Sequence, residues 1–213
     1  MRVIAIDGPA GSGKSTVARA LARRLDLDYL DTGAMYRGVT FAVLRRQMDP
    51  DEEEPVAAVA RDLELDVVDS QVTVDGVDAS LEIRGPEVTS AVSVVAANPG
   101  VRAELRRRQR EWADHHGGGV IEGRDIGSVV FPNAELKVYL TASEDVRAQR
   151  RHREAAELDY EETRALIADR DALDSTRADS PLREPSGAVM VDTTDLSVDE
   201  IVERIVALLG DPV

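Results

Sequence analysis

The chain contains no cysteine, which rules out disulfides, thiolate metal sites and thiol nucleophiles. Aromatic residues make up 3% of the 213 positions, so the core has to be aliphatic, built from Val, Leu, Ile and Ala. No stretch approaches the run of about 18 apolar residues that a transmembrane helix needs, and none is expected. Lysine is nearly missing too: Lys14 and Lys137 are the only ones, and arginine carries the remaining positive charge. Such a bias has no function by itself, yet it makes a lysine at a demanding position conspicuous. Basic residues are also outnumbered, 26 against 41, for a net charge of −15. That balance argues against a nucleic acid polymer as partner, because a phosphate backbone needs a net basic face. A mononucleotide site stays open, since a few convergent arginines reverse the field locally.

What is present fits a globular chain, 43% apolar and 31% charged. Its length suits one α/β core with a small insertion. Met1-Arg2-Val3-Ile4-Ala5-Ile6 leads straight into an apolar strand with no signal-peptide layout, so a cytoplasmic location is expected. Val3–Ile6, Tyr29-Leu30, Val120-Ile121, Leu136–Leu140 and Ala188–Val191 read as core strands. Helical spacing follows the first strand at Val17, Ala18, Leu21, Ala22 and Leu25. Asp49 to Pro55 reads as an acidic turn or loop, and an arginine-rich helix is expected from Pro99 to Asp114 with Val101, Leu105 and Trp112 on one face. A long charged helical region covers Glu144 to Ala172, and the capping box Ser197-Val198-Asp199-Glu200 opens a final helix. Alternating strands and helices imply a parallel sheet of about five strands with helices on both faces.

Between about residues 61 and 95 the pattern changes. Leu63, Leu65 and Val67 alternate, as do Val72 and Val74, then Val77, Leu81 and Ile83, with the hairpin dipeptide Asp75-Gly76 in the middle. A small inserted antiparallel sheet is expected, the alternative being an edge meander of the main sheet.

The first strand runs into Gly8-Pro9-Ala10-Gly11-Ser12-Gly13-Lys14-Ser15, which matches G-x-x-x-x-G-K-[ST] without a mismatch. The glycines allow backbone N–H groups to converge on one concavity, and the following helix adds its positive end. Lys14 can reach β- and γ-phosphates, and the Ser15 hydroxyl can ligate Mg²⁺. The expected triphosphate contacts are therefore Gly8 to Ser15 together with Thr16. The motif is silent about the acceptor.

Two arginines address that question. Arg37 follows Leu30-Asp31-Thr32-Gly33-Ala34-Met35-Tyr36 after the second strand, and Arg124 lies in Glu122-Gly123-Arg124-Asp125 after the third. Open α/β sheets bind ligands beyond the carboxyl ends of their strands. Two guanidinium forks delivered there suit an acceptor that is itself a phosphate. A phosphate acceptor is already anionic at neutral pH, so no general base is expected.

The ordered set GPAGSGKST, LDTGAMYR, SVVAANPGVR, EGRDIGSVVFP, RAQRR, RDALDSTRADSPL and VDTTDLSVDE resembles the bacterial cytidylate kinase family along nearly the whole chain. The P-loop is shared by many families, whereas DTGAMYR, GRDIG and RDxxDSTR together are specific. The resemblance implies a single kinase domain over 1–213, with a core of about 1–60 and 96–213, an acceptor-binding insertion of about 61–95 and a helical lid of about 147–170. It implies transfer of the γ-phosphate of ATP to CMP, and to dCMP, with Mg²⁺; the size of the chain suits a monomer. Position by position, it implies that Arg37 of the Tyr36-Arg37 pair holds the acceptor phosphate with Arg124 and Arg177. Thr32, Ser93, Arg102 and Asp125 then read the cytosine edge, and Arg170 and Asp174 hold the ribose. Arg150 and Arg151 are the preferred lid arginines, with Arg151 taken for the transfer step.

Plainer explanations compete for several of these. A solvated helix face accounts for most arginines near Arg102, and salt-bridged spacing accounts for the lid charges. Asp125 can be a cap that holds Arg124. His115 and His116 lack partners at metal spacing and read as a surface turn before three glycines. Other small acceptors, such as another nucleotide, shikimate or dephospho-coenzyme A, suit the P-loop equally well, and a nucleotide-hydrolysing switch is a further alternative.

Overall fold

The computed structural model describes residues 1–154 and 159–210. Two units are distinguished, one formed by residues 1–29 with those from 116 onward, the other by residues 30–115.

In the first unit, β1 (Arg2–Asp7) is the centre of a parallel sheet because every residue after Arg2 is buried, as a strand covered on both faces requires. It pairs in parallel with β6 (Gly118–Gly123) on one side and β7 (Leu136–Thr141) on the other, and β7 pairs with β8 (Val189–Asp192). The strand β2 (Tyr29–Asp31) lies beyond β6, giving the order β2-β6-β1-β7-β8. The chain leaves β1 toward β2 on one side and later fills β7 and β8 on the other. The carboxyl end of β1 is thus the switch point where such sheets take ligands. The helices α1 (Lys14–Leu25) and α8 (Val198–Leu208) supply Val17, Leu21, Ile201 and Ile205 to a core with Ile4, Ile6, Val138, Leu140 and Val191. This core is aliphatic apart from Tyr29, as the scarcity of aromatics demands.

The second unit contains α2 (Thr32–Arg45), α3 (Glu53–Asp62), a three-stranded antiparallel sheet, α4 (Pro86–Ala97) and most of α5 (Pro99–His116). The small sheet is β3 (Leu65–Val68), β4 (Gln71–Val74) and β5 (Val77–Asp78), with Asp75-Gly76 at the turn and both residues at positive φ. That is the hairpin chemistry the dipeptide announced. Three expectations need correcting here. The acidic segment read as a loop starts α3 at Glu53, where two glutamates face the positive end of the helix. Leu81 and Ile83 do not extend the sheet: a 3-10 turn occupies Glu82–Arg84, and Pro86, at the first position of α4, starts a helix instead. His115 and His116 end α5 and do not form a loop.

Arg108 of α5 ties α3 in place. It donates to Ala60 O at 2.9 Å, Arg61 O at 3.1 Å and Leu63 O at 2.8 Å, while Glu104 Oε1 accepts from its Nε at 2.7 Å. The carbonyls at the end of a helix lack intrahelical donors, and a cation there suits the dipole. Arg108→Met is expected to cost about 1–3 kcal/mol of stability, read as a lower urea midpoint with unchanged denaturant slope.

The charged region expected from Glu144 resolves into α6 (Glu144–Glu154) and α7 (Tyr160–Thr176), the second opened by the capping box Asp159–Glu162. Residues 155–158 of the expected lid fall outside the described residues.

Candidate active site

The phosphate loop is held open by its neighbours. Gly8 has φ 150, and a Cβ there would lie 2.1 Å from Leu140 O, so no other residue lets β1 leave the sheet beside β7. Gly11 has φ 72, and a Cβ would lie 2.6 Å from Arg147 O, so the tip of the loop packs against the backbone of α6. Gly13 precedes α1 with no side-chain cap, leaving the first amides of that helix to an anion. Ser12 is fully buried, and its carbonyl accepts from Thr193 Oγ1 at 3.1 Å. Ser15 and Thr16 are exposed at the start of α1.

Lys14 folds back so that Nζ donates to Pro9 O at 2.8 Å. Burial pushes its pKa down to about 7, the Arg124 charge adds to that, and Glu122 opposes it, with smaller effects from Arg170 and Asp171. The ammonium is therefore near the like charges of Arg124 and Arg170, and bound phosphates would relieve that.

The acceptor residues expected from the later strands gather in the first unit. Arg124 donates from Nε to Asp174 Oδ2 at 2.7 Å and from Nη1 to Gly8 O at 2.6 Å, so it joins the phosphate loop to α7. Arg177, just past α7, donates from Nε to Ser180 O at 2.7 Å and approaches Asp174 at 3.5 Å and Asp125 at 3.7 Å. Asp174 is buried; burial alone would raise its pKa, but Arg124 and Arg170 outweigh it and hold the carboxyl below the usual range. Arg170 is itself pushed down to about 10 by burial and by Arg124, with Asp174 opposing and the Arg151 charge among the remaining influences. The charges acting on Lys14 are two arginines, Arg124 and Arg170, and two carboxylates, Glu122 and Asp171.

The remaining acceptor residues belong to the second unit. Asp31 caps α2 by accepting from Ala34 N at 2.9 Å, which sets Thr32 at the helix start, buried. One turn on, Arg37 Nη1 donates to Ile83 O and to Thr89 Oγ1, both at 2.9 Å. Arg102 is 1% exposed, a charge taken fully out of water; it donates to Ala96 O at 3.2 Å and lies over the Tyr36 ring at 5.6 Å. A solvated helix face, the plain explanation for Arg102, is thereby excluded. Ser93 is half-buried on α4.

Of the lid arginines, Arg150 is engaged with the loop after β8, donating to Thr193 Oγ1 at 2.8 Å and to Thr193 O at 2.7 Å. Arg151 is half-buried. Arg147 bonds Ala10 O at 3.1 Å and pairs with Asp171, whose other oxygen accepts from Ala10 N at 3.0 Å. Sequence reasoning missed Asp171, although it directly follows Arg170, and it missed Asp7 and Glu122. Glu122 is buried at the end of β6 and accepts from Tyr29 Oη at 2.5 Å. A carboxylate closing an otherwise apolar strand next to the P-loop strand is the signal that could have found it.

A profile of the cytidylate kinase family matches residues 4–210. The cytidylate kinase of Caldanaerobacter subterraneus subsp. tengcongensis is 48% identical over 95% of this chain and 92% of its own length. A bifunctional pantoate ligase/cytidylate kinase of Synechococcus sp. is 50% identical over 98% of this chain, which spans 43% of that protein. Among solved structures, shikimate kinase from Acinetobacter baumannii in complex with shikimate has a TM-score of 0.52 at 17% identity, covering 98% of this chain and 93% of that one. TT1252 from Thermus thermophilus has a TM-score of 0.53 at 21% identity, covering 100% and 98%. Those two likenesses concern the fold alone.

Proposed function

The chain belongs to the cytidylate kinase family, and we therefore propose that it transfers the γ-phosphate of ATP to CMP, and to dCMP, as a cytoplasmic monomer. The observation that carries this reading is Arg124, one guanidinium bonded both to the phosphate-loop carbonyl Gly8 O and to Asp174. A group so placed can act on donor and acceptor phosphates together.

Phosphoryl transfer asks for in-line positioning and neutralisation of charge more than for covalent help. In this reading the backbone amides from Gly11 to Thr16 and the Lys14 ammonium hold the donor phosphates, since Pro9 has no N–H and Ala10 N is given to Asp171. Arg124, Arg177 and Arg37 hold the acceptor phosphate, Arg170 and Asp174 the ribose, and Arg151 serves the transferring group. Thr32, Ser93, Arg102 and Asp125 are assigned to the cytosine, and Tyr36 to the CMP site without a stated part. The acceptor phosphate is an anion near neutral pH, its second ionisation lying at about 6, so no side chain has to remove a proton. Closure of the lid would exclude water and suppress hydrolysis.

Mg²⁺ fits this donor set. Among the described residues no cluster of three or more acidic or imidazole side chains exists that could cage a metal ion. The exposed Ser15 hydroxyl at the start of α1 suits an ion carried in mainly by phosphate oxygens. Held by Ser15, such an ion would supply charge neutralisation to the donor phosphates.

A coupled assay for ADP release across CMP, dCMP, UMP, AMP, shikimate and dephospho-coenzyme A tests the reading. CMP and dCMP are expected to stimulate turnover most, and acceptor-independent hydrolysis at the same rate would overturn it. Base choice has its own test. A carboxylate accepts from the cytosine amino group but faces a carbonyl in uracil. Asp125→Ala is expected to narrow the CMP over UMP preference by roughly 10- to 100-fold with ATP KM little changed. Equal losses for the two acceptors would make Asp125 only a partner of Arg177.

A further inference from the structure

We propose that Asp7 is a positioning residue for the acceptor side of the reaction: its carboxylate fixes the backbone of residues 126 and 127 against the phosphate loop and so aims Arg124 and Asp125. The inference rests on the kinase reading above and concerns how that site is built.

Asp7 is the last residue of β1 and fully buried. Its Oδ1 accepts from Ile126 N at 2.8 Å and its Oδ2 from Gly127 N at 2.7 Å. Those amides open a short π-helical turn, Ile126–Val130, whose preceding residue is Asp125. An aspartate in that place ordinarily caps its own turn. Asp125 makes no such cap, because the carboxylate of Asp7 has taken the amides. Its side chain instead lies 3.7 Å from Arg177. The next residue after Asp7 completes the arrangement, since Gly8 O accepts from Arg124 at 2.6 Å. Two adjacent residues of β1 and its exit thus hold the 124–127 segment at both ends, one by backbone amides, the other by a guanidinium. No local sequence rule reveals this, as the partners are more than a hundred positions apart.

Among the described residues no ion pair reaches Asp7, and a buried carboxylate so placed is costly unless its oxygens are well used. Burial pushes the pKa of Asp7 up to about 6; the Gly127 and Ile126 amides pull it down, Asp125 raises it and Lys14 lowers it. The charged and titratable groups that face it are Lys14 from α1, Asp125 from the loop and Tyr139 from β7. Its register partner on β6 is Gly123, which brings no charge. The anionic form accepts both amides, whereas a protonated or amidated group has one good acceptor oxygen and a donor directed at the other N–H. The arrangement is therefore intact above about pH 6 and lost as the pH falls through that value.

Asp7→Asn, nearly the same shape, is the test. The expected result at pH 8 is a CMP KM raised about 10- to 100-fold, a CMP over UMP preference narrowed by a similar factor, and affinity for ADP within about threefold of the parent. The parent-to-variant ratio of kcat/KM for CMP is expected to shrink toward one as the pH falls from 8 through 6. The ionisation of CMP itself cancels in that ratio. A ratio constant between pH 5.5 and 8, or losses shared equally by ADP and CMP, would reduce Asp7 to a structural residue and overturn the proposal. Should the variant not fold, the parent enzyme carries the test through its own CMP over UMP selectivity, which must narrow through pH 6; constancy refutes the proposal. Parent enzyme that turns over no CMP at pH 8 refutes the kinase reading and this inference with it, an outcome distinct from the others.

Discussion

Lys14→Ala is expected to lower turnover by about 10²- to 10⁴-fold while raising the melting temperature of the nucleotide-free protein. The two effects share one cause. Nζ lies in a half-buried place, 2.8 Å from Pro9 O, beside Arg124 and Arg170. Burial and those charges bring its pKa from the ordinary 10.5 to about 7. A lysine whose folded value lies below its unfolded value favours folding only when neutral. Its contribution is present above pH 10.5 and is lost as the pH falls toward 7. At neutral pH the protein keeps the ammonium against its own stability because the phosphates use it. Scanning calorimetry at pH 7 and steady-state kinetics on the same preparations measure both. Near-parental turnover would remove Lys14 from the phosphate cradle, and a lowered melting temperature would remove the electrostatic account.

Parts of this molecule that depend on residues adjacent in sequence were legible in it. The phosphate loop is a contiguous motif between an apolar strand and an amphipathic helix, and all three appear where they were expected. The turn at Asp75-Gly76 is equally local. Elements whose stability comes from packing were harder to read. In α4, Val88, Val92 and Val95 have helical spacing, but β-branched residues after an alternating stretch suggest strand until Pro86 and the neighbouring helices decide otherwise. In α5 Val101 and Leu105 are buried as expected, but the face continues through Arg102, Gln109 and Ala113 while Trp112 is only half-buried, so polar residues hid the rest of the stripe. The site shows the same division. Arg124 and Asp174 were named as separate ligands of phosphate and ribose, yet they bond each other, and that contact joins the segment after β6 to the distant helix α7. Asp7, Asp171 and Glu122 escaped notice because an isolated carboxylate in sequence says nothing until its partners are known.

Arg124→Lys is expected to lower kcat by about 10²- to 10³-fold while leaving the melting temperature near that of the parent. A guanidinium is a planar fork, and here Nε serves Asp174 while Nη1 serves Gly8 O. An ammonium on a flexible stem keeps the charge but can hold only one of those directions well. It therefore still compensates Asp174, which is buried and anionic, but no longer ties α7 to the phosphate loop. Arg124→Ala removes the charge as well. Leaving a buried carboxylate without its closest cation costs about 3–5 kcal/mol, so that variant is expected to lose stability along with activity. Arg177 at 3.5 Å offers only partial compensation. The comparison separates charge from geometry: full activity in the lysine variant would show that any cation suffices there, and the bridging fork would lose its role in transfer. A lysine variant as unstable as the alanine variant would mean that the fork is needed first of all by Asp174.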